Sequence, residues 1–205
     1  MTGRAASPPA PFVGLTGAIA SGKSAALAAF ERLGAAVLST DAVTHELLSR
    51  GEIADQLAER WGEEVAPGGV VDRERVGAIV FESREELRWL ESVLHPVVGA
   101  RIVEWRAALP DGTPVAVVEV PLLFETGMDA AFDATVAVVA PDEVRAERAG
   151  ARGTARLAER EANQLSQEEK AARATHVLTN DGTPEELEAA IAALMSKLAA
   201  REAGA

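Results

Sequence analysis

One eight-residue segment combines the residue types and the spacing that bind phosphate groups. It follows the pattern G-x-x-x-x-G-K-S, with the residues Gly17, Ala18, Ile19, Ala20, Ser21, Gly22, Lys23 and Ser24. The two glycines allow successive backbone N–H groups to turn towards an anion. The lysine supplies a positive charge for the outer phosphates, and the serine hydroxyl suits Mg²⁺ as a ligand. We therefore predict a nucleotide-binding phosphate loop at residues 17–24.

The sequence on either side of this loop supports the prediction. Residues 12–15 form an apolar run long enough for a buried strand, and residues 25–33 are good helix formers. A glycine-rich turn that merely caps a helix is the alternative. The chain has 17 Gly but only three Lys, so the full motif would rarely arise by chance. A helix that starts directly behind the loop would add its dipole and its unpaired N–H groups to the same anion site.

Two carboxylates belong to predicted strands or follow them. Asp41 comes after the strand predicted at 35–39, where open α/β sheets bind ligands, although a plain helix N-cap explains Asp41 equally well. Glu119 is the single charge in the apolar run 114–120, which predicts a strand buried on both faces. A carboxylate buried there needs a partner, and either a water-coordinated Mg²⁺ or Lys23 would serve.

A dense arginine cluster follows the strand predicted at 134–139. Spacings of three and four residues put several of its members on one helical face: Arg145, Arg148, Arg152, Arg156 and Arg160. Because glutamates are interleaved, a solvated face with surface ion pairs is the alternative. Downstream of a phosphate loop, we interpret the cluster as part of a mobile lid that closes over transferring phosphates.

The remaining pattern predicts an α/β fold, a three-layer α/β/α sandwich on a five-stranded parallel sheet whose last strand is 176–179. Between the second and third strands the sequence predicts consecutive helices at 52–61, 72–81, 83–94 and 96–108, with Pro96 opening the last. Such a long connection exceeds a simple crossover, which indicates an inserted helical subdomain. We expect the tryptophans of this insertion to be core aromatics rather than a stacking platform for a base: Trp61, Trp89 and Trp105.

These elements define the predicted organisation of one domain over residues 12–200. Its parts are a core of 12–41, 110–149 and 174–200, a helical insertion of 42–109 that binds the acceptor, and a lid of 150–173 that carries arginine. We expect residues 1–11 to form a disordered tail rather than a signal peptide, because the segment is rich in proline and lacks an apolar region.

Composition narrows the class of protein. The net charge of −12 gives no basic footprint for nucleic acid or for an anionic membrane. With no cysteine and only three histidines, the chain offers no disulfide framework and no thiolate metal site. The longest apolar stretches are too short to span a bilayer. We expect a cytoplasmic protein that is a monomer, with small-molecule substrates and no nucleic-acid or membrane partner.

Among proteins with a phosphate loop, a small-molecule kinase fits the sequence best. A switch GTPase needs an N-K-x-D element, whereas Asn180-Asp181-Gly182 lacks the lysine, and no D-x-x-G follows the third strand. A kinase needs an acceptor-binding insert, an arginine lid and a carboxylate near the acceptor hydroxyl, all of which are predicted here. Kinases for shikimate, gluconate or a nucleoside monophosphate remain alternatives, as does a non-catalytic nucleotide sensor.

Five segments together resemble the dephospho-CoA kinase family, in the same order and spacing over about residues 12–195. They are G-L-T-G at 14–17 with K-S at 23–24, V-L-S-T-D at 37–41, L-H-P at 94–96, V-P-L-L-F-E at 120–125 and V-L-T-N-D-G at 177–182. The resemblance implies a fold like that of nucleoside-monophosphate kinases. It also implies transfer of the γ-phosphate of ATP to the ribose 3′-hydroxyl of dephospho-CoA, giving CoA and ADP in the last step of CoA biosynthesis.

The resemblance also implies the roles of individual residues. Asp41 would orient or deprotonate the acceptor hydroxyl, and Arg148 and Arg152 would neutralise charge on the transferring group. ATP would be held by residues 17–24, including Lys23, and by Ala25 and Asn180, with Mg²⁺ on Ser24. The acceptor would be held by Asp41 and by Thr16, His95, Pro121, Leu122, Leu123, Phe124 and Glu125.

The chain departs from the family pattern at four positions. The family usually has Gly at Ala18 and Ala20, and Asp at Ser39 and Glu119. If Ala20 takes a positive φ, the loop is strained there. None of these changes removes the lysine, the hydroxyl or the acceptor carboxylate.

Overall fold

A computed structural model describes residues 10–49, 51–150 and 164–202 of the 205-residue chain. Within these ranges a five-stranded sheet has the order β2-β3-β1-β4-β5. The ladders that join β1 to β3, β1 to β4 and β4 to β5 are all parallel. The predicted α/β class with a five-stranded parallel sheet is therefore confirmed.

The described elements follow the predicted order. The strands are β1 Phe12–Gly17, β2 Ala36–Ser39, β3 Ala116–Glu119, β4 Ala134–Val139 and β5 His176–Thr179. The helices are α1 Lys23–Arg32, α2 Thr40–Leu47, α3 Glu52–Trp61, α4 Arg73–Glu82, α5 Arg84–Ala107, α6 Asp142–Gly150, α7 Gln167–Arg173 and α8 Pro184–Glu202. Short 3₁₀ turns lie at Glu63–Val65, Pro67–Gly69 and Met128–Ala131.

The chain divides into two compact units, which are described separately. The first comprises residues 1–38 and 109–205 and contains the phosphate loop, and the second comprises Ser39–Ala108. Predicted features that fall on the tail (1–9), on Arg152, Arg156 and Arg160, and on residues 151–163 of the lid lie outside the described residues. Pro11, assigned to the tail, is buried, and its carbonyl accepts a hydrogen bond of 2.9 Å from the N–H of Ala116.

One face of the sheet packs against helices α1 and α8. Alternate residues of the strands point to that side, because successive side chains of a strand face opposite ways. They form an apolar core with the two helices, whose members include Val13, Leu15, Val117, Val136, Val138, Phe30, Leu187 and Ile191. The runs of Val and Ala in β3 and β4 are buried, apart from the half-buried Val139 at the end of β4, as expected for parallel strands covered on both faces.

The opposite face of β1 is shaped by Gly14. A Cβ atom at this position would lie 3.0 Å from Cδ2 of Phe132 and 3.1 Å from Cδ2 of Leu123. The missing side chain therefore lets the segment after β3 pack directly on the strand. Helix α7 of the same unit is joined to Ala140 through Gln167. The side-chain amide oxygen of Gln167 accepts from Ala140 N–H at 2.8 Å, and its amide nitrogen donates to the Ala140 carbonyl at 3.0 Å.

The second unit has a core of its own, built from α3, α4 and α5 together with the turns between them. Trp61 and Trp89 pack against this core with ring centroids 5.0 Å apart in an edge-to-face arrangement. The Arg60 guanidinium stacks over the Trp89 ring and donates two hydrogen bonds to Glu86, at 2.6 and 3.0 Å. The indole N–H of Trp61 also donates to Glu86, at 2.7 Å. Trp61 and Trp89 are thus half-buried and pack against the core, as the prediction requires in part, whereas Trp105, also half-buried, lies outside this cluster.

The structure corrects the predicted helix boundary at Pro96. Instead of two helices, a single helix α5 runs from Arg84 to Ala107 with the proline inside it. Proline removes the N–H that would bond to the Ser92 carbonyl, and its ring crowds that carbonyl. The buried residues of α5 recur every four positions on both sides of the proline, namely Leu90, Leu94, Val98 and Ile102. Burial of this continuous stripe outweighs the one lost hydrogen bond.

Side chains cap the first turns of three helices. Asp72 caps α4 by accepting from two backbone N–H groups, and Ser83 caps α5. Ser166 and Glu169 form a reciprocal capping box at α7, and these hydrogen bonds lower the pKa of Glu169. Of the helices within the described ranges, none has both the length and the apolar character needed to cross a membrane.

Candidate active site

The predicted phosphate loop connects β1 to α1 as expected. β1 ends at Gly17, α1 begins at Lys23, and a turn closed by a 3.3 Å bond from Ser21 N–H to the Ala18 carbonyl lies between them. Gly22 precedes the helix in a left-handed conformation, with φ of 98°. Because a glycine offers no capping side chain, the N-terminal turn of α1 is suited to an anion.

Both glycines of the motif are required for contacts made elsewhere in the fold. A Cβ atom on Gly17 would collide with the Val138 carbonyl and lie 2.7 Å from Oγ of Ser21. A Cβ atom on Gly22 would collide with the side-chain amide of Asn180. Neither neighbour can be read from the motif itself, because both come from strands that the sheet brings next to the loop.

Ala20 is the one non-glycine residue with a positive φ in the described part of the chain, at 61°. An L-residue in this left-handed region brings its Cβ close to its carbonyl oxygen and so carries strain. The conditional expectation from the sequence, that the loop is strained if Ala20 takes a positive φ, therefore applies. The departure from glycine at this position has a physical cost.

Lys23 folds back over the loop. Its ammonium group donates to the carbonyl oxygens of Gly17, at 2.9 Å, and Ala18, at 3.1 Å. Ser24 and Ala25 are exposed in the first turn of α1, so the Ser24 hydroxyl can be reached from solvent. Ser21 is fully buried, and its hydroxyl has no hydrogen-bond partner in the part of the chain that the structure describes. The loop therefore presents an ammonium and an accessible hydroxyl on a rigid backbone.

Asn180, which the resemblance puts at the nucleotide, lies directly behind the phosphate loop. It is buried, and its side-chain amide donates to the Ser21 carbonyl at 2.8 Å. Its backbone N–H bonds to the Val139 carbonyl at 2.8 Å, and its own carbonyl accepts from the Arg148 guanidinium at 3.2 Å. The structure thus brings Arg148 and Asn180 together beside the loop.

Arg145 contacts the phosphate loop, and the sequence did not predict this contact. It was recognised only as one member of the arginine cluster, yet its Nε donates to the Ile19 carbonyl of the phosphate loop at 3.1 Å. An ion pair of 3.0 Å with Asp142 holds the guanidinium, which is 17% exposed. Two arginines of α6 therefore add positive charge next to a loop that must bind an anion.

An open cavity of about 420 Å³ adjoins the loop. Its lining consists of Ala18, Ile19, Asp142, Arg145 and residues 164–169. This volume lies within the range of small-molecule pockets, about 300–1,000 Å³. The cavity places a guanidinium and the N-terminus of α7 opposite the phosphate loop.

The predicted acceptor stretch 121–125 is tied to the end of β1. The Pro121 carbonyl accepts from Oγ1 of Thr16 at 3.2 Å and from the ammonium of Lys170 at 2.7 Å. Pro121, Leu122 and Glu125 are half-buried, whereas Leu123 and Phe124 are buried and pack inside the unit. Lys170 was not identified from the sequence, where it looked like one more polar residue of a capped helix.

Glu119 is 7% exposed at the end of β3, where it lies in register with Leu15 of β1. Within the described ranges, no group of three or more His, Asp or Glu side chains forms a metal-binding cluster. Mg²⁺ in phosphoryl-transfer sites is held largely by water and substrate phosphates, with one or two protein ligands. A hydroxyl at Ser24 and a carboxylate at Glu119 are the oxygen donors that this ion prefers, so the residues fit a magnesium ion.

Two predicted residues belong to the second unit. Asp41 is exposed in the first turn of α2, two residues after Ser39, which is the N-cap of the helix. His95 is exposed in the middle of α5, directly before Pro96. Exposure leaves both side chains available to a ligand.

The comparisons with known proteins agree with this architecture. The family model described as dephospho-CoA kinase matches residues 11–186. A dephospho-CoA kinase from Anaeromyxobacter dehalogenans is 41% identical over 185 residues, which are 85% of this chain and 86% of that protein.

Solved structures give the same result. The crystal structure of TT1252 from Thermus thermophilus has a TM-score of 0.73 at 36% identity and covers 92% of this chain and 98% of that one. The dephospho-CoA kinase from Campylobacter jejuni has a TM-score of 0.68 at 25% identity, with 93% and 98% covered. The chain therefore belongs to the dephospho-CoA kinase family, whose members phosphorylate dephospho-CoA to CoA in the last step of CoA biosynthesis.

Proposed function

We propose that this chain transfers the γ-phosphoryl group of ATP to the ribose 3′-hydroxyl of dephospho-CoA, using the phosphate loop as the donor site. The observation that carries the proposal is the loop itself. Lys23 lies across the Gly17 and Ala18 carbonyls, and the loop is held from behind by Asn180. Membership of the family supplies the acceptor.

On the donor side, the backbone amides of residues 17–24 and the N-terminus of α1 would hold the phosphates of ATP. Lys23 would move its ammonium from the loop carbonyls to the outer phosphates. A magnesium ion would be held by Ser24 and, through water, by Glu119. When bound, such an ion neutralises charge on the phosphates.

On the acceptor side, we assign Asp41 as the carboxylate that orients or deprotonates the attacking hydroxyl. Its exposure in the first turn of α2 supports this role, because a ligand can reach the carboxylate there. The helical insertion 42–109, with His95, and the 121–125 stretch with Thr16 would hold the CoA moiety. These assignments rest on the motif resemblance and on the residues' position in their elements.

Arg148 and Arg152 would neutralise charge on the transferring group. Phosphoryl transfer spreads negative charge over the equatorial oxygens, so correctly placed cations matter more than covalent chemistry. The contact of Arg148 with the Asn180 carbonyl supports a location beside the phosphate loop. Closure of the lid at 150–173 over both ligands would keep water away from ATP.

The test is a coupled ADP-release assay with ATP and a panel of acceptors. The panel contains dephospho-CoA, shikimate, gluconate and nucleoside monophosphates. We expect high turnover with dephospho-CoA alone and none for Lys23→Ala with any acceptor. High turnover with another acceptor would mean that this acceptor, and not dephospho-CoA, is the substrate. Nucleotide binding without transfer to any acceptor would indicate a sensor instead of an enzyme.

We also propose that the enzyme acts as a monomer in the cytoplasm, without nucleic-acid or membrane partners. Light scattering coupled to gel filtration tests the first point, since a mass near 21.4 kDa is expected. Fractionation of cells that express a tagged chain tests the second.

A further inference from the structure

Among the described residues of the first unit, Lys170 is the most deeply buried charged side chain, with 1% exposure. It is one of three lysines, and Lys197, by contrast, is exposed on α8. Taking an ammonium out of water costs several kcal/mol unless it is paired and hydrogen-bonded. The contacts that compensate this burial therefore indicate what the residue holds in place.

Both contacts of the ammonium are to the stretch that follows β3. It donates to the Pro121 carbonyl at 2.7 Å and pairs with Oε1 of Glu125 at 3.0 Å. The same Glu125 oxygen accepts from the backbone N–H of Leu165 at 2.9 Å. Among the described residues its other carboxylate oxygen, which is buried, has no hydrogen-bond partner. The contacts of Glu125 with Lys170 and Leu165 both lie within the first unit.

The stretch depends on side chains for its orientation. The last sheet hydrogen bond before it runs from Val120 N–H to the Leu15 carbonyl, at 2.9 Å. Pro121 has no N–H and cannot continue the ladder. Its carbonyl is instead held by Lys170 and by Thr16, the residue directly before the phosphate loop.

A second contact from the same helix holds the other end of the stretch. The Arg173 guanidinium lies over the Phe124 ring, 4.8 Å from its centroid. Residues three apart on a helix face the same side, so Lys170 and Arg173 grip the stretch together. Helix α7 thus fixes residues 121–125 relative to the end of β1.

We infer that Lys170 is a positioning residue for the acceptor: its buried ammonium holds the Pro121 carbonyl and the Glu125 carboxylate, and so sets the path of residues 121–125 at the base of the phosphate loop. This inference rests on the proposed role of residues 121–125 in acceptor binding. Lys170 need not touch either substrate. Its loss should therefore affect acceptor binding while leaving the ATP site in place.

The test compares Lys170→Met with Lys197→Met, the same chemical change on an exposed lysine. For Lys170→Met we expect KM for dephospho-CoA to rise at least about tenfold, consistent with the loss of a hydrogen bond to a charged group. The Kd for ATP without acceptor, measured by calorimetry, should change less than about twofold. Lys197→Met should leave both constants unchanged.

A double variant separates positioning from stability. Lys170→Met leaves the Glu125 carboxylate buried without its cation, so thermal stability should fall. Adding Glu125→Gln removes that charge while its amide oxygen can still accept from Leu165. We expect the double variant to recover stability but to keep a high KM for dephospho-CoA.

If KM recovers together with stability, or if it never rises, Lys170 is only structural and the inference is wrong. A wild-type chain without turnover on dephospho-CoA would instead refute the proposed function. The two failures are therefore distinguishable in one set of assays.

Discussion

The strain at Ala20 leads to a prediction with an unusual sign: replacing this alanine by glycine should stabilise the protein. Ala20 has a φ of 61° in the phosphate loop. The left-handed conformation costs an L-residue about 1–2 kcal/mol, a cost that glycine does not carry. Glycine also makes the unfolded chain more flexible, which offsets about 0.4–1 kcal/mol of that gain.

The net stabilisation therefore lies between about 0 and 1.6 kcal/mol, and we expect a value near its midpoint of about 0.8 kcal/mol. In proteins of 150–250 residues, about 1 kcal/mol shifts Tm by about 2–4 °C. We expect the Tm of Ala20→Gly, measured by circular dichroism without nucleotide, to rise by about 1–4 °C.

Ala193→Gly is the matched control, because Ala193 is exposed within α8. Glycine in a helix interior lowers stability by about 0.5–1 kcal/mol, so the same substitution should lower Tm at this position. Opposite signs for the two variants would support strain at Ala20. A fall in Tm for both, by similar amounts, would refute the reasoning, since an unstrained alanine loses stability on conversion to glycine.

Three further predictions concern the proposed site and the second unit. Asp41→Asn should lower kcat by about 10²–10⁴ and leave the Kd for ATP nearly unchanged. Asp55→Asn, which changes another exposed aspartate in the first turn of a helix, should leave kcat unchanged. Near-wild-type turnover of Asp41→Asn would exclude Asp41 as the base. Arg148→Ala should reduce kcat more than it weakens ATP binding. Arg32→Ala is the control and should leave both unchanged. A change in KM alone for Arg148→Ala would contradict a transition-state role for Arg148. Hydrogen bonds from a guanidinium and an indole lower the pKa of Glu86 below its usual 4.5. The ionised Glu86 carboxylate therefore stabilises the folded protein above pH 4.5, and this contribution is lost as the pH falls through the lowered pKa. Glu86→Gln should therefore lower Tm at pH 7, and its deficit should shrink in acid; a deficit independent of pH would exclude this charge effect.

Local sequence was sufficient wherever one segment contains all the interacting groups. The phosphate loop and the buried strands β3 and β4 were predicted from adjacent residues. The boundary at Pro96 was predicted wrongly for the same reason. A local rule ends a helix at proline, but the buried stripe of α5 on both sides of it keeps the helix continuous.

Contacts between distant segments were not accessible in this way. Arg145 and Lys170 carry no motif, and their partners are Ile19, Pro121 and Glu125, which are 126, 49 and 45 residues away along the chain. Their significance appears only when the parallel sheet brings the ends of β1, β3 and β4 together. A charged side chain reads as a surface residue in the sequence until the fold removes it from water.

The sequence alone thus determined that this chain has a phosphate loop on a parallel sheet and resembles one kinase family, because those signals depend on short-range spacing and hydrophobic period. Tertiary structure decided why Gly22 must be glycine, how Ala20 is strained and which cation holds residues 121–125. These properties depend on atoms far apart in the chain, and packing free energy, rather than local preference, brings such atoms into contact.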